Sequence, residues 1–83
     1  MDKILVEVYV PTVNISYDVY IPVESKIEEV KLLISSTISE LTDNRYKKGS
    51  KIVLCNFATG KEYNNYSRIF ETDIENGTKL MII

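Results

Sequence analysis

The most constraining feature of this chain is a change of hydrophobic period between Pro22 and Lys26. Upstream, apolar residues alternate. Ile4, Val6, Val8 and Val10 fall on one face and Leu5, Glu7 and Tyr9 on the other; after Pro11–Asn14, Ile15, Tyr17, Val19 and Ile21 oppose Ser16, Asp18 and Tyr20. A period of two is that of a half-buried strand, so the two runs predict an antiparallel hairpin ended by Pro22. Downstream, Ile27, Val30, Ile34, Ile38 and Leu41 recur at spacings of three and four, with Leu32 and Leu33 widening the stripe. This predicts an amphipathic helix over about 26–42, its apolar side on the hairpin. Ser25-Lys26-Ile27-Glu28 has the spacing of a capping box at its start. A hairpin with one greasy face needs a cover, and the helix supplies it.

The remainder is shorter in its elements. A polar loop containing Arg45-Tyr46-Lys47-Lys48-Gly49-Ser50-Lys51 leads to a strand over 52–57, a turn at Ala58–Lys61 and a short strand near 61–63. Arg68-Ile69-Phe70 suits a single helical turn, Asn76-Gly77 a tight turn, and 79–83 a last strand. The order β-β-α-β-β-(turn)-β gives an α+β fold, one helix packed on a mixed sheet of four to five strands. With 83 residues and 45% hydrophobic content, the chain reads as one domain over 1–83 whose small core needs nearly every apolar residue.

Composition excludes whole classes of chemistry. There is no histidine, so the commonest general acid/base and the commonest transition-metal ligand are absent. The lone Cys55 permits no internal disulfide or cysteine zinc cage and fits a reducing compartment. Ten basic against twelve acidic residues do not make a nucleic-acid-binding footprint. Neither an export signal nor an apolar run of membrane-spanning length is present, so a cytoplasmic protein is expected. The sequons at Asn14, Asn65 and Asn76 then have no route to glycosylation.

The element order is that of the β-grasp, and the residues resemble ubiquitin. Ile27–Ile34 looks like the opening of the ubiquitin helix, Thr59-Gly60-Lys61-Glu62-Tyr63 is similar to its Ala-Gly-Lys-Gln-Leu turn, and Ile69–Ile74 followed by Leu80-Met81-Ile82 resembles its final segments. Length and the Ile74-Glu75-Asn76-Gly77-Thr78-Lys79-Leu80 ending resemble the YukD/EsaB family of bacterial ubiquitin-like proteins, small cytosolic accessories of type VII (WXG-type) secretion. That resemblance implies protein contacts with the secretion machinery and no catalysis. Ubiquitin and the sulfur carriers end in a flexible Gly-Gly tail, whereas this chain ends Met81-Ile82-Ile83, so C-terminal conjugation is not expected.

No catalytic residue, cofactor or metal is expected. Cys55 reads as buried filler, and Glu71, Asp73 and Glu75 lack the oxygen ligands and glycine of a calcium loop. Taking Val53, Cys55 and Phe57 as the inward set of their strand leaves Leu5, Ile52, Leu54, Met81 and Ile83 as an outer apolar patch for partner binding. The loop bearing Arg45, Lys47 and Lys48 is a second candidate contact, for an acidic partner or phosphates. The alternative function is accordingly a small regulatory or RNA-associated β-grasp protein using 45–51. A homodimer through a sheet edge or the patch would be physically ordinary.

Overall fold

The computed structural model describes residues 2–43 and 52–83. Its elements are β1 (Lys3–Val10), β2 (Ile15–Pro22), α1 (Ile27–Leu41), β3 (Leu54–Asn56), a 3₁₀ turn (Ile69–Glu71) and β4 (Lys79–Ile82). The sheet order is β2-β1-β4-β3. β1 runs antiparallel to β2 and parallel to β4, and β3 is antiparallel to β4. The parallel pair brings the first strand beside the last, which only the crossover through α1 permits.

The hairpin follows its alternation. Lys3 through Val10 pair with Pro22 through Ile15 without a bulge, so the apolar row of each strand stays on one face. Val6, Val8, Val10 and Ile21 are buried, and Ile15, Tyr17 and Val19 pack partly buried against the core. The turn closes on Asn14, which adopts φ 52, a conformation asparagine tolerates better than most residues. From β4, Leu80 and Ile82 complete the inner face. Each such fully buried side chain contributes about 1.5–3 kcal/mol relative to exposure.

The helix differs from expectation at both its start and its face. Its N-cap is Lys26, not Ser25, and Glu29 Oε1 accepts the Lys26 N–H at 2.9 Å. The reason is tertiary. The Ile27 and Glu28 amides donate to the carbonyls of Ser67 and Asn65, which satisfies donors a serine cap would otherwise have to meet. Ile27, Val30, Ile34 and Ile38 are buried as the spacing predicts, but Leu32, Leu33 and Leu41 are exposed, at 67%, 44% and 59%. Ser35, Ser39 and Thr42 are buried in their place. Ser35 Oγ donates to the Lys31 carbonyl at 2.8 Å and Thr42 Oγ1 to the Ile38 carbonyl at 2.7 Å, so these hydroxyls enter the interior already satisfied.

The fifth strand expected near 61–63 is reduced to one bridge between Cys55 and Glu62. Turn and loop are held instead by side chains. Asn56 Oδ1 accepts the Ala58 and Thr59 amides, Gly60 turns the chain at φ 75, and Tyr63 returns as a buried residue.

Candidate interaction surface

Pairing register decides which side chains share the outer face of the sheet, the one turned away from α1. Leu54 lies opposite Ile82, and Ile82 is buried in the core, so Leu54 is an inner residue too and fully buried. Ile52 packs partly buried against the same core. Both were expected outside, and both are corrected to the inside. A strand's faces swap on a shift of one residue, and an apolar run such as 52–55 offers no polarity to choose between them; only the partner strand does. The outer set of this segment is Val53, Cys55 and Phe57.

The other members lie where the sequence puts them. Leu5 and Met81 are half-buried on the outer face, and Ile83 is 50% exposed. Val53 and Ile83 exchange both backbone hydrogen bonds, at 2.8 and 3.0 Å, which carries the β3–β4 pairing one residue beyond the strand ends. Arg45, Lys47 and Lys48 lie outside the described residues.

The centre of the face is a small aromatic and cationic cluster that the sequence did not disclose. Tyr9 and Phe57 meet edge to face, ring centroids 5.8 Å apart. Lys79 Nζ stands 4.1 Å from the Phe57 centroid and 5.8 Å from that of Tyr9, and 3.8 Å from Glu7. β1 places Tyr9 beside Met81, and β4 places Met81 beside Cys55. The surface is therefore an apolar strip of Tyr9, Phe57, Val53, Met81 and Ile83 with one ammonium held over its rings. Cation–π contacts of this kind contribute about 0.5–1 kcal/mol when exposed. They also orient a charge that a partner can engage. The signal for Phe57 was in the turn chemistry: an Asn two residues before Ala58 caps the turn, which ties Asn56 to the loop and sends Phe57 to the other face.

Several titratable side chains are tied into the fold. Burial, aided by Glu62, raises the pKa of the Cys55 thiol, which keeps it protonated at neutral pH. No grouping of three or more metal-ligating side chains occurs among the described residues. Glu71 Oε1 accepts the Arg68 amide, and Asp73 accepts the Tyr63 hydroxyl at 2.7 Å, so these carboxylates brace the turn around 68–73. The buried phenol of Tyr63 is pushed up to about 12, by burial first and by that hydrogen bond second. Shallow cavities lie among the described residues. One of about 240 Å³ is lined by Leu5, Val6, Glu7, Asp18, Asn76 and Gly77, and one of about 250 Å³ is lined by Lys61–Asn64, Ser67, Glu71 and Thr72.

No protein-family model and no curated protein sequence matches the chain. Solved structures do. The chain is similar to the EccD5 ubiquitin-like domain from Mycobacterium xenopi over 100% of its own length and 94% of that domain, with a TM-score of 0.82 at 10% identity. It is similar to the ubiquitin-like domain of the Mycobacterium tuberculosis type VII secretion system protein EccD1 over 100% and 99%, with a TM-score of 0.79 at 11% identity. It also matches a chain of the MycP5-free ESX-5 inner membrane complex with a TM-score of 0.76 at 16% identity, spanning 21% of that chain. The fold is thus the ubiquitin-like β-grasp, one helix packed on a mixed four-stranded sheet. Among the described residues no helix is long and apolar enough to cross a membrane.

Proposed function

We propose that this chain is a ubiquitin-like protein-interaction module serving a bacterial type VII (WXG-type) secretion system, a cytoplasmic accessory of the YukD/EsaB kind. It acts by reversible binding to a protein component of the machinery and catalyses nothing. The observation that carries this reading is the outer sheet face, where Phe57, at 44% exposure, and Ile83, at 50%, flank Met81 around the oriented Lys79 ammonium. Exposed apolar strips on small domains mark interaction sites. The secretion assignment draws support from the EccD-like neighbours and from the ending Ile74–Leu80.

The test uses the whole chain, immobilised and offered the cytosolic and membrane fractions of a cell that carries such a system. Secretion components should be retained and identified by mass spectrometry. Met81→Asp and Phe57→Asp should abolish retention while far-UV circular dichroism stays unchanged. Equal retention by the folded variants would sink the outer face as the contact.

A further inference from the structure

Asn76-Gly77 is the one Asn-Gly pair in the chain; Asn14, Asn44, Asn56, Asn64 and Asn65 are followed by Ile, Arg, Phe, Asn and Tyr. The pair holds the two central positions of the turn Glu75–Thr78. That turn is closed by the Thr78 amide donating to the Glu75 carbonyl at 3.0 Å and the Glu75 amide donating to Thr78 Oγ1 at 2.9 Å. Gly77 has φ 92, the sign that a type II turn requires at its third residue. Turn geometry thus explains the glycine. It also leaves the Gly77 nitrogen without a neighbouring Cβ to shield it from the asparagine side chain. Both residues are exposed, and with Leu5, Val6, Glu7 and Asp18 they line the cavity of about 240 Å³, so water reaches the side-chain amide.

An unshielded backbone nitrogen next to a side-chain amide can react with it. Once the Gly77 nitrogen has given its proton to water or hydroxide, its electron pair can attack Asn76 Cγ. The new N–Cγ bond closes a cyclic imide. The Cγ–Nδ2 bond breaks, and its electron pair leaves on Nδ2, which takes up a proton and departs as ammonia. A water molecule then opens the ring at either carbonyl. Opening at Cγ gives aspartate. Opening at the main-chain carbonyl gives isoaspartate, whose backbone runs through Cβ and Cγ and is one methylene longer. The sum is amide plus water to carboxylic acid plus ammonia, with no redox change.

In the folded chain a single residue of the neighbouring strand holds both reacting groups. The Leu5 amide donates to Asn76 Oδ1 at 2.9 Å, and the Gly77 amide donates to the Leu5 carbonyl at 2.7 Å. Attack needs the Gly77 nitrogen to release the proton it gives to Leu5. It also needs the Asn76 amide to turn its carbon toward that nitrogen, which takes its oxygen off Leu5. The next rung, from the Glu7 amide to the Thr78 carbonyl at 3.1 Å, continues into the β1–β4 ladder. We propose that Asn76 is a site of spontaneous deamidation gated by the pairing of β1 with β4, slow while Leu5 holds it and reactive whenever β4 comes away. The extra methylene of isoaspartate displaces Gly77 and Thr78 relative to Leu5 and Glu7, so a converted chain cannot rebuild this end of the ladder. Conversion therefore records that the sheet has opened and disfavours its closing again. The inference rests on neither the outer-face contact nor the secretion reading.

The test incubates the intact chain in neutral buffer, folded and in urea. Conversion at Asn76 is followed by peptide mapping and by methyl transfer from a protein isoaspartyl methyltransferase. Asn76→Gln should abolish the signal, which assigns it to this residue. Conversion should be slower by about tenfold or more in the folded chain than in urea. Ile82→Ala, which loosens β4 from the core, should raise the folded-state rate severalfold and leave the rate in urea unchanged; Ile82→Val serves if the alanine variant does not fold. The isoaspartyl form, isolated chromatographically, should have a lower denaturation midpoint than Asn76→Asp, which keeps an acceptor for the Leu5 amide. Equal rates folded and in urea, or a folded Ile82 variant that converts no faster than wild type, would overturn the gate. An isoaspartyl form as stable as Asn76→Asp would overturn its consequence for the ladder.

Discussion

Residues 2–43 and residues 52–83 build comparable shares of one core by different means. The first segment is a hairpin whose apolar rows run unbroken and a helix that buries Ile27, Val30, Ile34 and Ile38, and burial does most of the work. The second has strands of only three and four residues, with the chain between them fastened by side chains: Asn56 on its turn, Tyr63 on Asp73, Arg68 on the Glu24 carbonyl at 2.6 Å, Thr72 on the Ile69 carbonyl. Regular periodicity lets a chain fold by burying one face. Where strands are too short for that, polar side chains must hold the turns that place the few apolar residues.

The comparison can be broken hardest from the first segment. Ile34, fully buried on α1, should cost about 2–5 kcal/mol as Ile34→Ala, read as a lowered denaturation midpoint. A smaller loss there would mean that α1 contributes less to the core than its burial indicates. In the second segment Tyr63→Phe should cost about 1–2 kcal/mol, since Asp73 and Asn56 both lose a partner. The same residue predicts a pH effect. An unfolded tyrosine titrates near 10 and Tyr63 at about 12, so the fold favours the protonated phenol. Its contribution is intact below about pH 10 and is lost as pH climbs toward 12. Equilibrium unfolding across that range should show stability falling in the wild type and a shallower fall in Tyr63→Phe; equal slopes would refute the assignment.

Two gentler variants sharpen the contrast. Glu29→Ala removes the acceptor of the Lys26 amide and should cost about 0.5–1 kcal/mol, whereas Glu28→Ala, at the position the sequence motif favours, should change less. Leu32→Lys should stay within about 0.5 kcal/mol in a melting experiment, because Leu32 is 67% exposed. A cost of several kcal/mol would put that leucine back in the core.

Legibility followed the same division. Both faces of the hairpin, the position of α1, the turn at Arg68–Phe70 and the orientation of Leu80, Met81 and Ile82 could be read from spacing. The inner face of β3 could not. Ile52, Val53, Leu54 and Cys55 are all apolar, and only the pairing of Leu54 with Ile82 decides between them. The helix misled for a subtler reason. Hydropathy ranks Leu33 above Ser35, yet a serine that bonds its own helix carbonyl can be buried at little cost, and the geometry of the flank took it. The Tyr9–Phe57–Lys79 cluster joins strands far apart in the chain, beyond any local pattern.

The central pairing of β1 with β4 has a consequence for assembly. The Leu5 amide is held by the Asn76 side chain 71 positions away, and Val8 finds its neighbour at Leu80. During synthesis the hairpin and α1 leave the ribosome with one flank of β1 bare, and the interior cannot close until the final strand arrives. Closing so long a loop slows folding relative to a helical bundle of equal size. For that interval the nascent chain exposes a strand that the finished molecule holds between two neighbours.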